Sequence, residues 1–217
     1  LQEGDPISYI KRRVWFVYPL FRRIFLSADV IQAISHYLAD WALAMGYKGR
    51  VEVIPNGVDV DRFMIQDFRF KEKEETVLIT TSRLEEKNAV GDIIDALKFL
   101  SNNVKLRILG AGSLELELRQ KTQDRDLEDR VEFLGHVSNE ELPKYLHEAD
   151  IFIRPSLSEG MGNSFIEAMA AGLPVIATAV GGIVDFLRDG ETGLFCEVKN
   201  PESIAKQVTR LSSDITL

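Results

Sequence analysis

From residue 76 onward, the chain alternates between short apolar runs and longer stretches whose apolar residues recur every three or four positions. Short runs rich in Val, Ile, Leu and Phe are typical of strands, and the longer spacing is typical of helices. Apolar runs without alternation indicate strands covered by helices on both faces of a parallel sheet. The pattern therefore predicts an α/β fold with a doubly wound, Rossmann-like parallel sheet. The predicted strands are 76–82, 105–109, 130–134, 151–154, 175–178 and 193–197, and the predicted helices are 89–100, 113–124, 139–148, 162–171, 182–187 and 201–211.

The first 55 residues show the same alternation over a shorter length. They predict a basic helix, a strand at 30–34, a helix at 35–46 with Ser35 as its N-cap, and a strand at 51–54. The turn "PNGVD" and the charged stretch "FRFKEKEE" then separate this piece from the alternating region. We therefore interpret residues 1–58 as the remnant of a preceding domain with a hinge, and 59–217 as the main domain.

Charge is unevenly distributed along the 217 residues, whose formal net charge is -8. The basic residues near the start leave the main body strongly acidic, which argues against nucleic acid as a partner. The basic, aromatic opening at 7–28 has two interpretations that stay open: contact with anionic lipid, or a helix edge packed on another part of the protein.

The apolar runs and the cysteine content of the sequence indicate the cellular location of the protein. The longest apolar run near the start, 14–21, is far shorter than the roughly 20 residues that cross a bilayer. We therefore expect no transmembrane span and no signal peptide. The single cysteine, Cys196, lies in an apolar run and is expected in the core. The expected location is the cytoplasm, at the inner face of the membrane if the opening contacts lipid.

Polar and glycine residues follow the predicted strands. In open parallel sheets, ligands bind beyond the carboxyl ends of the strands, so these residues are expected to share one crevice. The crevice would hold two cations, two carboxylates and exposed backbone. The residues are Arg83 and Lys87 after the first strand, Gly110 and Gly112 after the second, Gly135 and His136 after the third, 156–162 after the fourth, and Gly181 and Gly182 after the fifth.

Arg83 and Lys87 are candidates for a phosphate clamp. Lys87 directly precedes Asn88, the predicted N-cap of the next helix, where the helix dipole disfavours a cation unless an anion is bound nearby. Arg suits bidentate contact with phosphate, and Lys acts as a point charge. A solvated surface lysine is the alternative.

The segment "SEGMGNSFIEAMAAGLPVIAT" predicts a second phosphate-binding feature. Gly160 and Gly162 remove side chains just before a helix, which leaves free backbone N–H groups and the helix dipole for a diphosphate. Glu159 in the loop and Glu167 one turn into the helix can each accept hydrogen bonds from sugar hydroxyls. The implied ligand is a sugar joined through diphosphate to a nucleoside.

Three rival chemistries are disfavoured. Glycoside hydrolases use paired carboxylates but need neither cations nor a glycine turn beside them. The segment "LGAGSLE" begins like a dinucleotide fingerprint, but Glu115 occupies the third glycine position, which disfavours an oxidoreductase. No spacing among His36, His136 and His147 resembles a metal site, so neither a metal nor a cofactor is predicted. We expect His147 to cap the end of its helix.

Several blocks of the sequence resemble a known family. In order, they are "VIPNGVD", "SRLEEKNAV", "LRILGAG" and a long block from "VEFLGHVSNEELPKYLHEADIFIRPSLSEGMGNSFIEAM" to "GLPVIATAVGGIVDFLRDGETGLF". Over roughly 28–210, this pattern resembles the C-terminal, donor-binding domain of retaining family 4 glycosyltransferases with the GT-B fold. The resemblance implies transfer of a hexose from a nucleotide-diphosphate sugar to a glycan, lipid or other acceptor.

The resemblance also implies roles for single residues. Glu159 would contact the transferred sugar, Glu167 the ribose hydroxyls, and Arg83 with Lys87 the departing diphosphate, without a bound metal. The other donor-binding residues would be Gly110, Gly112, His136, Gly160, Met161, Gly162, Asn163 and Ser164.

The sequence departs from the family pattern at a few positions. Met161 replaces the usual aromatic residue, Asn163 and Ser164 replace a commonly aliphatic pair, and Asp185 replaces a glutamate. These changes bear on the identity of the sugar more than on the reaction class. Asn163 and Ser164 have two interpretations, hydrogen bonding to phosphate or helix capping.

The family also has an N-terminal, acceptor-binding domain, of which only the last segments are recognisable here. The resemblance therefore implies a donor-binding half that is poor or inactive in transfer without the missing domain. A noncatalytic nucleotide-sugar-binding module is the alternative, because the four charged site residues do not distinguish the two.

Overall fold

The computed structural model describes residues 11–13, 15–64 and 75–213. These residues form two compact units. The first contains the described residues up to Gly57, together with Ser158–Gly162 and Val180–Phe186, and the second contains the rest. Predictions for residues 1–10 and 14, which include part of the basic opening, and for 68–74 of the charged stretch lie outside the described residues.

The described elements of the first unit include two α-helices and two parallel strands. They are α1 (Tyr18–Leu26), β1 (Val30–Ala33), α2 (His36–Ala44) and β2 (Arg50–Val53). The predicted elements are confirmed to within two residues at each described end. Ser35 is the N-cap of α2, as predicted, because its Oγ accepts a hydrogen bond from the Leu38 N–H at 3.3 Å.

Helix α1 has one packed face and one exposed apolar face. On the packed face, the ring of Phe25 lies 5.5 Å from that of Trp41. Arg22 and Arg23 accompany the exposed apolar residues on the same short segment. Within Trp15–Leu26, the large apolar side chains that are more than half exposed are Trp15, Phe16, Leu20 and Ile24.

The second unit contains a six-stranded parallel sheet with the order β5-β4-β3-β6-β7-β8. Each of the six predicted strands is confirmed, with its ends shifted by no more than one residue. The strands are β3 (Thr76–Thr81), β4 (Val104–Leu109), β5 (Val131–Gly135), β6 (Ile151–Arg154), β7 (Val175–Thr178) and β8 (Leu194–Cys196). The α-helices are α3 (Val60–Phe63), α4 (Val90–Ala96), α5 (Glu115–Gln123), α6 (Leu142–His147), α7 (Asn163–Ala170) and α8 (Pro201–Ser213).

Side chains of β6 pack on both faces of the sheet. Ile151 and Ile153 belong to the main apolar core, which also contains residues of α4, α5 and α8. Phe152 lies between them in the strand and points to the opposite face, where its ring meets Phe165 of α7 edge-on at 5.5 Å. Helices therefore cover both faces, and the predicted doubly wound α/β fold is confirmed.

Three predicted helices were wrong in part. The helix predicted at 139–148 begins only at Leu142. Helix α4 ends at Ala96, and Leu97–Phe99 continue as a 3-10 turn. The predicted helix at 182–187 is a 3-10 turn at Gly181–Asp185. Gly181, the first residue of this turn, has a φ of 57°, which lies outside the range of a regular α-helix.

Cys196 lies in β8 with its side chain in the main core. Burial raises the pKa of its thiol to about 12, and the Sγ lies 3.4 Å from the carbonyl oxygen of Ala177. The protonated thiol is therefore a core group, as predicted.

A matched pair of leucines tests the assignment of the core. Leu106 in β4 is fully buried, and Leu116 in α5 is 82% exposed. Leu106→Ala should lower the free energy of unfolding by about 2–5 kcal/mol, because it removes buried methyl groups and leaves a cavity. Leu116→Ala makes the same chemical change at the surface and should shift it by no more than about 0.5 kcal/mol. Urea unfolding followed by circular dichroism measures both, and equal losses would contradict the assignment of β4 to the core.

Candidate functional site

The order of the strands locates the candidate site in the second unit. The chain runs from β3 outward to β5 and then returns to β6, so the order reverses between the neighbouring strands β3 and β6. In open α/β sheets, ligands bind beyond the carboxyl ends of the strands at such a reversal. The segments that follow β3 and β6 are therefore the first to examine.

The loop after β3 carries the two predicted cations. Arg83 is exposed, and Lys87 is half-buried in the 3-10 turn Glu86–Asn88. The loop after β6 contacts this turn, because the Leu157 N–H donates a hydrogen bond to the Lys87 carbonyl at 2.7 Å. Backbone hydrogen bonding thus joins the two loops that flank the reversal.

Asn88 is not the N-cap that the sequence predicted. Ala89, with a φ of 51°, occupies the residue before α4, and no side chain caps that helix end. Asn88 is 1% exposed, and its Nδ2 donates to the carbonyl oxygen of Arg83 at 2.6 Å. The left-handed Ala89 separates the turn from the helix, so the predicted conflict between Lys87 and the α4 dipole has no structural basis.

Arg154, the last residue of β6, was missed by the sequence analysis. It is 8% exposed, with Nη2 donating to Asn88 Oδ1 and Nη1 donating to Ser164 Oγ, both at 2.7 Å. Its guanidinium also lies 5.3 Å from the ring centroid of Phe165. The available signal was an arginine that ends an otherwise apolar strand, "IFIR", at the edge where ligands bind.

Gly110 and Gly112 lie after β4 against the loop that follows β3. A Cβ at Gly110 would lie 1.8 Å from the Ser82 carbonyl oxygen, and one at Gly112 would lie 2.4 Å from that of Leu84. The Leu84 N–H also donates to the Ala111 carbonyl at 3.0 Å. The close approach of two backbones accounts for both glycines without a ligand.

His136 follows β5 and is exposed. It is preceded by Gly135, whose φ is 68°. Since β4 lies between β5 and β3, His136 belongs to the carboxyl edge but lies two strands away from the reversal. His136 thus follows the edge strand of the sheet, farther from the reversal than the other predicted site residues of the second unit.

Helix α7 begins at Asn163, one residue later than predicted. Asn163 is exposed, and the Ser164 hydroxyl accepts the hydrogen bond from Arg154. Glu167, one turn further, is half-buried. Burial raises the pKa of its carboxyl above the ordinary value, and the positive charge of Arg62 opposes that rise.

Glu159, Gly160, Met161 and Gly162 lie in the first unit. Glu159 is 9% exposed, and its Oε1 accepts the N–H of Gly160 at 3.1 Å. Met161 is also buried, and Gly162 has a φ of 80°. The loop therefore folds back on the Glu159 carboxylate instead of extending it into solvent.

Gly181 and Gly182 pack against this loop within the first unit. A Cβ on Gly181 would lie 1.8 Å from the Glu159 carbonyl oxygen, and one on Gly182 would lie 2.0 Å from that of Gly160. The Gly182 N–H donates to the Glu159 carbonyl at 3.1 Å. The double glycine thus holds the Glu159 backbone by direct contact.

Asp185 ends the double-glycine turn and contacts α2. Its Oδ2 accepts the backbone N–H of His36 at 2.7 Å and lies 3.3 Å from His36 Nδ1. The His36 N–H is one of the free donors in the first turn of α2. A carboxylate at this position therefore caps a helix of the first unit, in addition to the cap from Ser35.

His147 does not cap α6 as predicted. Its Nε2 lies 2.7 Å from the carbonyl oxygen of Phe63 in α3. Because this partner belongs to a distant part of the chain, the spacing of residues within α6 could not predict it.

The predicted site residues fall into two groups. Arg83, Lys87, Gly110, Gly112, His136, Asn163, Ser164 and Glu167 belong to the second unit, and Glu159, Gly160, Met161 and Gly162 belong to the first. Across residues 11–13, 15–64 and 75–213, no group of three or more His, Cys, Asp or Glu side chains is placed to hold a metal ion. In the same ranges, no helix has the length and apolar character needed to cross a membrane.

A profile of the family described as "Glycosyl transferases group 1" matches residues 61–215. The chain belongs to the group 1 glycosyltransferases. A second profile, described as "Glycosyltransferase Family 4", matches residues 6–62. These two matches confirm the predicted family resemblance.

Curated relatives of this group 1 glycosyltransferase chain are longer than it is. The amylovoran biosynthesis glycosyltransferase AmsK of Erwinia amylovora is 30% identical over 202 residues, which cover 88% of this chain and 49% of the relative. The GDP-mannose-dependent alpha-(1-6)-phosphatidylinositol monomannoside mannosyltransferase of Mycobacterium tuberculosis is 31% identical, with 92% and 58% covered. The chain thus spans about half the length of the curated relatives it matches.

Solved structures share the fold of this group 1 glycosyltransferase chain. Anabaena Alr3699/HepE, in complex with UDP and glucose, aligns with a TM-score of 0.80 at 22% identity and covers 89% of this chain and 57% of that protein. The C-terminal domain of the group 1 glycosyltransferase LpcC from Francisella tularensis aligns with a TM-score of 0.63 at 24% identity and covers 73% and 89%. At these identities, the likeness establishes the fold alone.

The raised pKa of Glu167 predicts a pH-dependent effect of its neutralisation. The folded-state pKa lies above the unfolded value, so the stability contributed by the protonated carboxyl is lost as the pH rises through the folded pKa. Glu167→Gln should therefore increase the free energy of unfolding more at pH 8 than at pH 4.5. Urea unfolding at the two pH values measures this, and Glu128→Gln, at an exposed position, supplies the baseline. An equal effect of Glu167→Gln at both pH values would refute the assigned burial of the charge.

Proposed function

We propose that this chain is the donor-binding half of a retaining glycosyltransferase that transfers a hexose from a nucleotide-diphosphate sugar. The main support is the meeting of the Arg83–Lys87 loop with the loop after β6, at the reversal of a parallel sheet. Membership of the group 1 glycosyltransferases supports the same reaction class. Residues 158–167, which follow β6 in the sequence, contain two carboxylates, Glu159 and Glu167.

In the proposed site, Arg83 and Lys87 contact the diphosphate. The first turn of α7, with Asn163 and Ser164, offers backbone N–H groups to the same anion. Glu167, in the same unit, accepts hydrogen bonds from the ribose. Further backbone contacts with the ligand are proposed for Gly110 and Gly112, with His136 at the border of the site.

The proposed chemistry is mainly electrostatic. As the bond between the sugar carbon and the leaving phosphate oxygen breaks, negative charge grows on the diphosphate and the sugar becomes oxocarbenium-like. Fixed cations and oriented N–H groups stabilise that charge without reorganising during the reaction. No step requires a metal ion resident in the protein.

The nucleotide is proposed to carry uracil or guanine. UDP occupies solved structures of Anabaena Alr3699/HepE, and GDP-mannose appears in the name of the mycobacterial relative. The name of AmsK refers to amylovoran biosynthesis, and that of the mycobacterial relative refers to a phosphatidylinositol monomannoside, so a glycan or lipid acceptor is proposed here. We propose a role in building cell-surface or other glycoconjugates.

We also propose that residues 1–58 belong to an acceptor-binding domain that a longer protein completes, and 59–217 to the donor domain. The boundary between the two family profiles, near residue 61, supports this division. A sheet with two strands is marginally stable alone, and only β1 and β2 form the described sheet of the first unit. We assign the exposed face of α1 to packing within that domain rather than to lipid, in a protein of the cytoplasm.

The first test of the donor site is calorimetric titration of this chain with UDP, GDP, ADP and their hexose conjugates in the presence of EDTA. One nucleotide series should bind saturably. Lys87→Ala and Glu167→Ala should each weaken that binding about 10- to 100-fold, because each removes a charged hydrogen-bonding partner of the donor.

Lys98→Ala and Glu128→Ala, at exposed positions, serve as controls and should leave the affinity unchanged. Absence of binding by this chain and by the longer protein would overturn the proposal. Nucleotide binding without turnover by the longer protein would favour the noncatalytic module.

Sedimentation with vesicles tests the assignment of α1. The longer protein should stay in the supernatant with both phosphatidylcholine and phosphatidylglycerol vesicles, because its other residues cover Trp15 and Ile24. Sedimentation with the anionic vesicles alone, abolished by Arg22→Glu together with Arg23→Glu, would show that lipid is the partner of this face instead.

A further inference from the structure

Arg154 occupies the point where the strand order reverses. It ends β6, which pairs with β3 through Leu78↔Ile151 and Ile79↔Phe152. The side chain is 8% exposed. A guanidinium keeps its charge when buried and loses its hydration there, so its position is retained only if protein groups replace the water.

One end of the Arg154 guanidinium hydrogen-bonds to the loop that carries the proposed phosphate-binding cations. Nη2 donates to Asn88 Oδ1 at 2.7 Å. The other end of the same amide, Nδ2, donates to the Arg83 carbonyl at 2.6 Å. The Asn88 amide thus connects the Arg154 guanidinium to the backbone of Arg83 through two hydrogen bonds. Because Asn88 is 1% exposed, water has little access to replace either partner.

The other end of the Arg154 guanidinium hydrogen-bonds to the first turn of α7. Nη1 donates to Ser164 Oγ at 2.7 Å, and the guanidinium carbon lies 5.3 Å from the Phe165 ring centroid. Phe165 is fully buried and is packed against Phe152. The aromatic contact and the fork together fix the guanidinium with respect to the start of the helix.

We propose that Arg154 is a positioning residue that sets the separation between the Arg83–Lys87 loop and the first turn of α7, so that both bind one diphosphate. This inference rests on the proposed donor-binding function. The two phosphate groups of a diphosphate require both segments at a fixed distance, whereas a monophosphate can be held by one segment. Arg154 therefore tunes the preference for diphosphate over monophosphate without contacting the ligand itself.

The ratio of diphosphate to monophosphate affinity tests this role. UDP, GDP and ADP are titrated in parallel with UMP, GMP and AMP, using the protein that binds a nucleotide in the donor test. Arg154→Lys keeps the charge but cannot reproduce the planar fork. It should weaken diphosphate binding about tenfold or more and monophosphate binding no more than about threefold.

Arg130→Lys is the matched control. Arg130 precedes β5 at the amino edge of the sheet, where Nε and Nη2 donate to the carbonyl oxygens of Val104 at 3.1 Å and Ser101 at 2.9 Å. The same substitution there removes a similar fork and should change stability while leaving the affinity ratio unaltered. A similar fall of the ratio in both variants would overturn the positioning role, because general destabilisation would then explain it.

Ser164→Ala keeps the test decisive if Arg154→Lys does not fold. It removes the hydroxyl that accepts the hydrogen bond from Arg154 Nη1, with little change of volume. It should lower the ratio of diphosphate to monophosphate affinity a few-fold. In a folded double variant, the loss should be little more than that of Arg154→Lys alone, because both changes break the same contact.

An unchanged ratio in Arg154→Lys, or in Ser164→Ala if the first variant is unfolded, would overturn this inference while the donor site stands. Failure of the proposed function is recognised separately, because the unsubstituted chain and the longer protein would then bind none of the six nucleotides. That result would overturn both proposals.

Discussion

All six strands of the second unit run in the same direction, and the rest of its structure depends on this constraint. Parallel strands need crossover connections, and the helices that provide them cover both faces of the sheet. Ile153 and Phe152 show the consequence, since adjacent residues of β6 are buried on opposite faces. In β6 and β7, which are buried along their whole length, the side chains are apolar up to the last residue, and the polar residues Arg154 and Thr178 end the two strands. Because the order reverses between β3 and β6, the carboxyl ends of these two strands form the edge best suited to a ligand.

Close contact between backbones explains most of the glycines at the carboxyl ends of the strands. Gly110 and Gly112 lie against the loop after β3, and Gly181 and Gly182 lie against the Glu159 loop in the first unit. At each of these positions a Cβ would overlap a carbonyl oxygen. Glycine-rich turns are therefore required by packing before any ligand is considered. Gly181 and Gly182 act by fixing the backbone that carries the Glu159 side chain.

Buried polar groups hold the candidate site together. The Arg154 guanidinium, the Asn88 amide and the Ser164 hydroxyl form a chain of hydrogen bonds that links two loops and a helix of the second unit. Such a chain keeps its geometry because each member would lose a partner if another moved. Glu167 has the opposite balance, since burial disfavours its charge and Arg62 only partly compensates. A hydroxyl-rich ligand that hydrogen-bonds to this carboxylate would stabilise the charged form.

Elements with local signals could be predicted from the amino-acid sequence. The six strands, the Ser35 cap and the class of fold follow from apolar periodicity and from a polar side chain directly before a helix. The folded chain was needed to find the conformation at Asn88, the turn at Gly181–Asp185, the partner of His147 and the contacts of Arg154. Each of these depends on a group that is distant in the chain, such as Phe63 for His147 and Asn88 for Arg154. Periodicity reports which side of an element is buried, whereas hydrogen-bond partners across the fold are set by the strand order, which no local pattern contains.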